Sequence, residues 1–194
     1  MEEEDASINS TSDLDGRFFE IQHANTRLFL NLAGGEIDDG AAVQLWDDTV
    51  GNPHNVWRIH DMGNGEFEIE SVHAGRFLNV AGGEAEDGTP VQLWNDTAGV
   101  NPHNRWRICN VNDGLICIQS VFTGLYLSVF DEHEGGRVEM HGESSSNQNR
   151  FKLVHVVSGV EHQSRFLREV TFHNNYSICL NFTRTYSRVC LIFI

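Results

Sequence analysis

Residues 19–59, FEIQHANTRLFLNLAGGEIDDGAAVQLWDDTVGNPHNVWRI, return as residues 67–108, FEIESVHAGRFLNVAGGEAEDGTPVQLWNDTAGVNPHNRWRI. With one inserted residue, Val100, 26 of 41 paired positions are identical, far beyond chance. A weaker third copy runs from Ile116 to Leu153, through Tyr126-Leu127-Ser128-Val129, Val138-Glu139-Met140-His141 and Asn149-Arg150-Phe151. A unit of about 45 residues cannot bury its own apolar face, so three of them predict a threefold architecture around one shared core.

Within the copies, Phe19-Glu20-Ile21-Gln22, Phe67-Glu68-Ile69-Glu70 and Ile116-Cys117-Ile118-Gln119 alternate with period two, the pattern of half-buried strands. Each copy holds about four such runs between Gly, Asn, Asp and Pro, and no sustained helical period precedes residue 157. The expectation is an all-β fold of three pseudo-symmetric four-stranded repeats, closed into a barrel that hides its sheet edges and capped by hairpins. The repeats fall at about 17–62, 66–111 and 115–156 of a domain spanning 16–156. Residues 1–15 form an acidic lead rich in Ser, Thr and Asp, too poor in apolar residues to pack, and are expected to be disordered. After Val157 the acids thin out, arginines appear and the chain ends in Val189-Cys190-Leu191-Ile192-Phe193-Ile194. This tail, 157–194, has no role legible in its sequence; docking on the barrel, a partner-binding strand and a poorly folded appendage all stay open. Its terminal apolar run is too short to span a bilayer.

The chain of 194 residues carries a formal charge of −15, which argues against a nucleic-acid partner and against an acidic lipid surface. Its start, Met1-Glu2-Glu3-Glu4-Asp5, is unlike a signal peptide, so a cytoplasmic location is expected. Cys109, Cys117, Cys179 and Cys190 follow neither a C-x-x-C pattern nor the repeat, which disfavours zinc. Cys109 and Cys117 flank Asn112-Asp113-Gly114, a hairpin turn, and are expected to be reduced.

Strand alternation separates core from surface. In Asn55-Val56-Trp57-Arg58-Ile59, Trp57 and Ile59 share a face, and the second copy places Arg105 and Arg107 on the other, so Trp57, Trp106 and their counterpart Phe151 point inward. In Val43-Gln44-Leu45-Trp46 the aliphatics take the inner face, leaving Gln44 and Trp46 outside; Gln92 and Trp94 follow suit. Leu30 and Leu32 likewise leave Phe29 and Asn31 on the outer side, matched by Phe77 and Asn79. An aromatic plate beside amides is the composition of a sugar site: the ring covers the C–H face of a pyranose and amides meet its hydroxyls. Roughly 60 Å² of apolar contact at about 25 cal/mol/Å² gives only about 1.5 kcal/mol, so each site binds weakly. The competing reading packs Trp46 and Trp94 beneath a loop as satellite core.

At these residues the chain resembles the ricin-type β-trefoil lectin family, also used as a carbohydrate-binding module attached to glycosidases. The resemblance covers residues 17–156 and implies a β-trefoil. The family's repeat-ending Gln-x-Trp matches Asn55-x-Trp57, Asn104-x-Trp106 and Asn149-x-Phe151, and its sugar-stacking aromatic matches Trp46 and Trp94. The resemblance places the family's orienting acid at Asn31 and Asn79, and its second amide at Asn55 and Asn104. An Asn in place of Asp loses a charge-assisted hydrogen bond, which puts galactose specificity in question. In the third repeat Ser128, Glu139 and His141 supply neither plate nor amide, so that copy is expected to be scaffold.

The acid clusters Glu36, Asp38, Asp39 and Glu84, Glu86, Asp87 lie between strands without the ligand spacing of a calcium loop, and read as solvated turns. Such short loops build no cleft for a glycosidase carboxylate pair. The ten histidines show no paired zinc spacing, and no Gly-rich phosphate loop appears. His54 and His103 recur in Asn-Pro-His-Asn, as turn-packing residues or at the edge of a ligand. The sequence reading is a non-enzymatic lectin with no cofactor and no metal, without membrane insertion, binding glycans through two shallow sites: Asn31, Gln44, Trp46, Asn55 and Asn79, Gln92, Trp94, Asn104. The alternative is a protein-interaction trefoil, a hydrolase inhibitor or adaptor, that binds no sugar; a detached targeting module of a glycosidase is a third option.

Overall fold

The computed structural model describes residues 14–47, 52–95, 100–142 and 147–156, and the backbone of 168–172, 176–183 and 186–192. The chain divides into two compact units, one ending at Val156 and one beginning at Val157.

The first unit holds twelve strands: β1 (Phe18–His23), β2 (Phe29–Leu32), β3 (Val43–Trp46), β4 (Val56–Gly63), β5 (Glu66–Ser71), β6 (Arg76–Val80), β7 (Thr89–Trp94), β8 (Trp106–Asn110), β9 (Ile116–Ser120), β10 (Tyr126–Val129), β11 (Val138–His141) and β12 (Phe151–Val156). Six of them close a barrel by antiparallel pairing in the order β1, β4, β5, β8, β9, β12 and back to β1. The hairpins β2–β3, β6–β7 and β10–β11 cap one end. They join one another through β11–β7 pairing and the single bridges Ala42↔Gln92 and Gln44↔Arg137. This is a β-trefoil, and closure leaves few strand edges for another chain to pair with.

Threefold equivalents fill the core. Ile21, Ile69 and Ile118 are fully buried, as are Leu30, Leu78 and Leu127, then Leu45, Leu93 and Met140. Trp57, Trp106 and Phe151, the bulkiest of these equivalents, each stand at 0 % exposure. The buried indole N–H groups find partners: Trp57 donates to the Leu30 carbonyl at 3.1 Å and Trp106 to that of Leu78 at 3.0 Å. These bonds tie each barrel strand to the capping hairpin of its own repeat, which carries the candidate site.

Outside the candidate site the structure departs from the sequence reading at three places. Leu14, assigned with the acidic lead, is 1 % exposed and belongs to the core, while Asp15 accepts a hydrogen bond from the Asp61 backbone at 3.0 Å. One apolar side chain is enough to fasten the end of a polar segment; residues 1–13 lie outside the described residues. Val56, which alternation sets on the same face as Arg58, is 2 % exposed, with Glu20 of β1 opposite it in the pairing. Arg105 is likewise largely covered, its guanidinium 3.4 Å from the buried carboxylate of Glu68.

The second unit contains β13 (Arg168–Phe172), β14 (Tyr176–Thr183) and β15 (Tyr186–Ile192), an antiparallel three-stranded sheet in chain order. Its register sets Cys179 opposite Cys190.

Candidate functional site

The hairpin β2–β3 pairs Phe29 with Trp46, Leu30 with Leu45, Asn31 with Gln44 and Leu32 with Val43. Because alternate residues face opposite ways, the leucines enter the core and Asn31, Gln44 and Trp46 line one outer strip. Trp46 is 38 % exposed, large for an indole, and its counterpart Trp94 is 41 % exposed. In β6–β7 the same register pairs Phe77 with Trp94 and Asn79 with Gln92. The indoles therefore form open plates rather than satellite core.

The amides behave differently from expectation. Asn31 and Asn79, read as outward, are 3 % exposed, Phe29 is 7 % exposed, and Asn55 and Asn104 are fully buried. The cause is a relay beneath the plate: the Gln44 amide donates to Asn31 Oδ1 at 3.1 Å, and the Asn31 amide donates to Asn55 Oδ1 at 2.7 Å. Gln92, Asn79 and Asn104 repeat both bonds at the same lengths. Asn55 and Asn104 therefore hold the ledge from below, and the half-buried glutamine is its outermost amide. The short turns Pro53–Asn55 and Pro102–Asn104 aim the lower amides. Proline fixes the first position of each, and Asn52 or Asn101 accepts from the backbone N–H of His54 or His103 at 3.0 Å.

The two histidines pack on glycine. Gly35 and Gly83 have φ of 68° and 66°, and a Cβ there would lie 2.5 Å from the His54 ring and 2.3 Å from the His103 ring. Only glycine combines this backbone with this approach. On its other side His54 meets His73 edge-on, ring centroids 4.5 Å apart, and burial followed by the like charge of His73 lowers its pKa. His103 instead meets the ring of Phe122 at 4.6 Å.

Acidic loops from neighbouring repeats brace the ledges, a contact that local sequence patterns do not disclose. Asp39 of the first repeat accepts from the Asn95 backbone, next to Trp94, and from Arg76, both at 2.8 Å. Third-repeat residues flank the first ledge, with Gly135 donating to the Leu45 carbonyl and Leu45 donating to that of Gly136, each at 2.8 Å. Asp87 accepts from the Gly142 backbone at 2.7 Å in the same manner.

In the third repeat the register sets Tyr126 opposite His141 and Ser128 opposite Glu139. Ser128 is buried and donates to the Tyr126 carbonyl, while Glu139 is engaged by Arg137 at 3.0 Å and by His141 at 3.3 Å. Phe130, which sequence reading passed over, is 45 % exposed and stacks on His141 at 4.1 Å. Among the described residues no indole plate or amide relay stands there.

Residues 8–94 match the ricin-type beta-trefoil lectin domain-like family. Over that span, a little under half of its length, the chain is similar to the ricin-type β-trefoil lectins. The matched span takes in both exposed indoles, Trp46 and Trp94. No curated protein sequence matches the chain. Among solved structures, the domain is similar to a designed threefold-symmetric protein, ThreeFoil (TM-score 0.67, 22 % identity, covering 71 % of this chain and 97 % of that one). It is similar to 1,3Gal43A, an exo-β-1,3-galactanase from Clostridium thermocellum (TM-score 0.68, 25 % identity, 73 % of this chain and 31 % of that one). It also resembles a Polyporus squamosus lectin bound to the epitope Neu5Acα2-6Galβ1-4GlcNAc (TM-score 0.61, 22 % identity, 72 % of this chain and 49 % of that one). The chain thus spans about a third of the galactanase and about half of the Polyporus lectin.

Proposed function

We propose that this trefoil is a carbohydrate-binding lectin that engages glycans at two ledges, Asn31/Gln44/Trp46/Asn55 and Asn79/Gln92/Trp94/Asn104, and acts by binding rather than catalysis. The observation that carries the reading is the pairing of an exposed indole with a glutamine held in place by two buried asparagines, built twice with the same bond lengths. Trp46 and Trp94 offer apolar plates to the C–H face of a pyranose. Gln44 and Gln92 meet its hydroxyls, and the relay beneath fixes which amide atoms they present. Each ledge is shallow, so single-site affinity is weak, and two ledges on one rigid body add avidity on clustered glycans. Trp46→Ala combined with Trp94→Ala is expected to abolish glycan-array binding while leaving the melting temperature nearly unchanged. Retained binding in the folded double variant overturns the assignment.

A further inference from the structure

We infer that the second ledge continues into an adjoining subsite, formed by Phe122 and His103, which takes the apolar face of a further pyranose in a glycan chain. The inference rests on the glycan-binding reading and adds a length preference that distinguishes the two ledges.

Phe122 lies in the turn between β9 and β10 and is 53 % exposed. It contributes little to the core, yet its ring is fixed against His103, centroids 4.6 Å apart and planes tilted by 52°. His103 is fixed in turn by Gly83 beneath it and by the bond from its backbone N–H to Asn101. Gly83 closes the Ala81–Gly83 turn that directly follows β6, which carries Asn79, and His103 directly precedes Asn104, the partner of Asn79. The buried Asn79–Asn104 bond and the chain step from Asn104 to His103 therefore link Gln92 of the ledge to the His103–Phe122 pair, and the exposed rings at the two ends are Trp94 and Phe122.

The first ledge has the same link with a different end. His54 lies on Gly35 as His103 lies on Gly83, but its ring partner is His73, at 4.5 Å. An imidazole is smaller and more strongly hydrated than a phenyl ring, and makes a poorer surface for the C–H face of a sugar. Two nearly identical ledges thus differ at the position where a second sugar ring of a bound chain arrives. The second is suited to disaccharides and longer chains, the first to a single terminal residue.

The test uses the full chain with Trp46→Ala to silence the first ledge. The probe is a glycan array carrying matched mono- and disaccharides of galactose, N-acetylgalactosamine, glucose, N-acetylglucosamine and mannose on one linker. A disaccharide signal about five- to tenfold above that of its monosaccharide is expected, the size of one added ring contact. Adding Phe122→Ala should bring that ratio to about one with the monosaccharide signal unchanged; Phe122→His should do the same, and Phe122→Tyr should keep the preference. A parent without disaccharide preference, or a ratio unchanged by Phe122→Ala, overturns the subsite while leaving the ledge intact. Loss of every signal already in the unmodified chain overturns the glycan reading, and the subsite with it.

Discussion

The Asn31 amide donates a 2.7 Å hydrogen bond to Asn55 Oδ1 across 24 positions of sequence, and Asn55 stands two residues before the core indole Trp57. The ledge is therefore anchored to the barrel by a buried polar contact. Both asparagines are out of water, so the bond matters most through what its loss leaves behind.

Asn55→Ala strands the Asn31 amide in a buried position, and about 1–3 kcal/mol of stability should go with it. Urea unfolding followed by the fluorescence of the buried indoles measures the loss. The same substitution at Asn104 should cost a similar amount, because the second relay has the same geometry. A neutral result at both positions contradicts the relay as a structural anchor.

Gly83→Ala should be costly for two separable reasons. A Cβ would lie 2.3 Å from the His103 ring, and the backbone sits at φ 66°. The left-handed backbone alone costs about 1–2 kcal/mol with a side chain present, and displacement of the ring adds to it. Adding His103→Ala removes the collision and leaves the backbone strain. The double variant should therefore recover part of the stability that Gly83→Ala loses, a positive coupling in a thermal double-mutant cycle. Strict additivity means that the ring does not rest on the glycine.

Much of this arrangement was legible from the repeats alone. Period-two alternation put Trp57 and Trp106 inside and Trp46 and Trp94 outside, because an alternating strand beside leucines leaves an indole little choice. Alternation failed for Asn31 and Asn79. It reports which side of a strand a residue takes, and says nothing of whether another segment covers that side. Here Gln44 and the Pro53–Asn55 turn cover it, and the covering residues are 13 and 24 positions away. The bracing of the ledges by loops of other repeats, as when Asp39 caps Asn95, was hidden for the same reason: 56 positions separate the partners. Phe122 carried no signal in its own repeat, since its meaning comes from His103 of the preceding one.

Acid should weaken the fold through two histidines. Burial lowers the pKa of His23, although hydrogen bonding to the Asn147 carbonyl works the other way, and burial followed by His73 lowers that of His54. In the unfolded chain both titrate near 6.5, so there they bind more protons than in the fold. Stability contributed by these groups is present above pH about 6.5 and is lost as pH falls through the window below it. Proton NMR titration of the ring C–H signals should give midpoints under 6.5 for both. The His54 midpoint should rise in His73→Ala, and an unmoved midpoint rules out the neighbouring imidazole as a cause.

Cys109 and Cys117 face each other across β8–β9, and burial together with Cys109 raises the Cys117 thiol to about 11. At pH 8 a thiol with that value is ionised in only about one molecule in a thousand, and the thiolate is the reacting form. Cys117 is also 7 % exposed, so reagent access is limited as well as ionisation. Iodoacetamide at pH 8 followed by peptide mapping should leave Cys117 unmodified in the folded chain and modify it rapidly in urea. Rapid modification without denaturant means that the hairpin opens readily, and it would remove the β8–β9 edge as a rigid support for Phe122, whose turn follows β9.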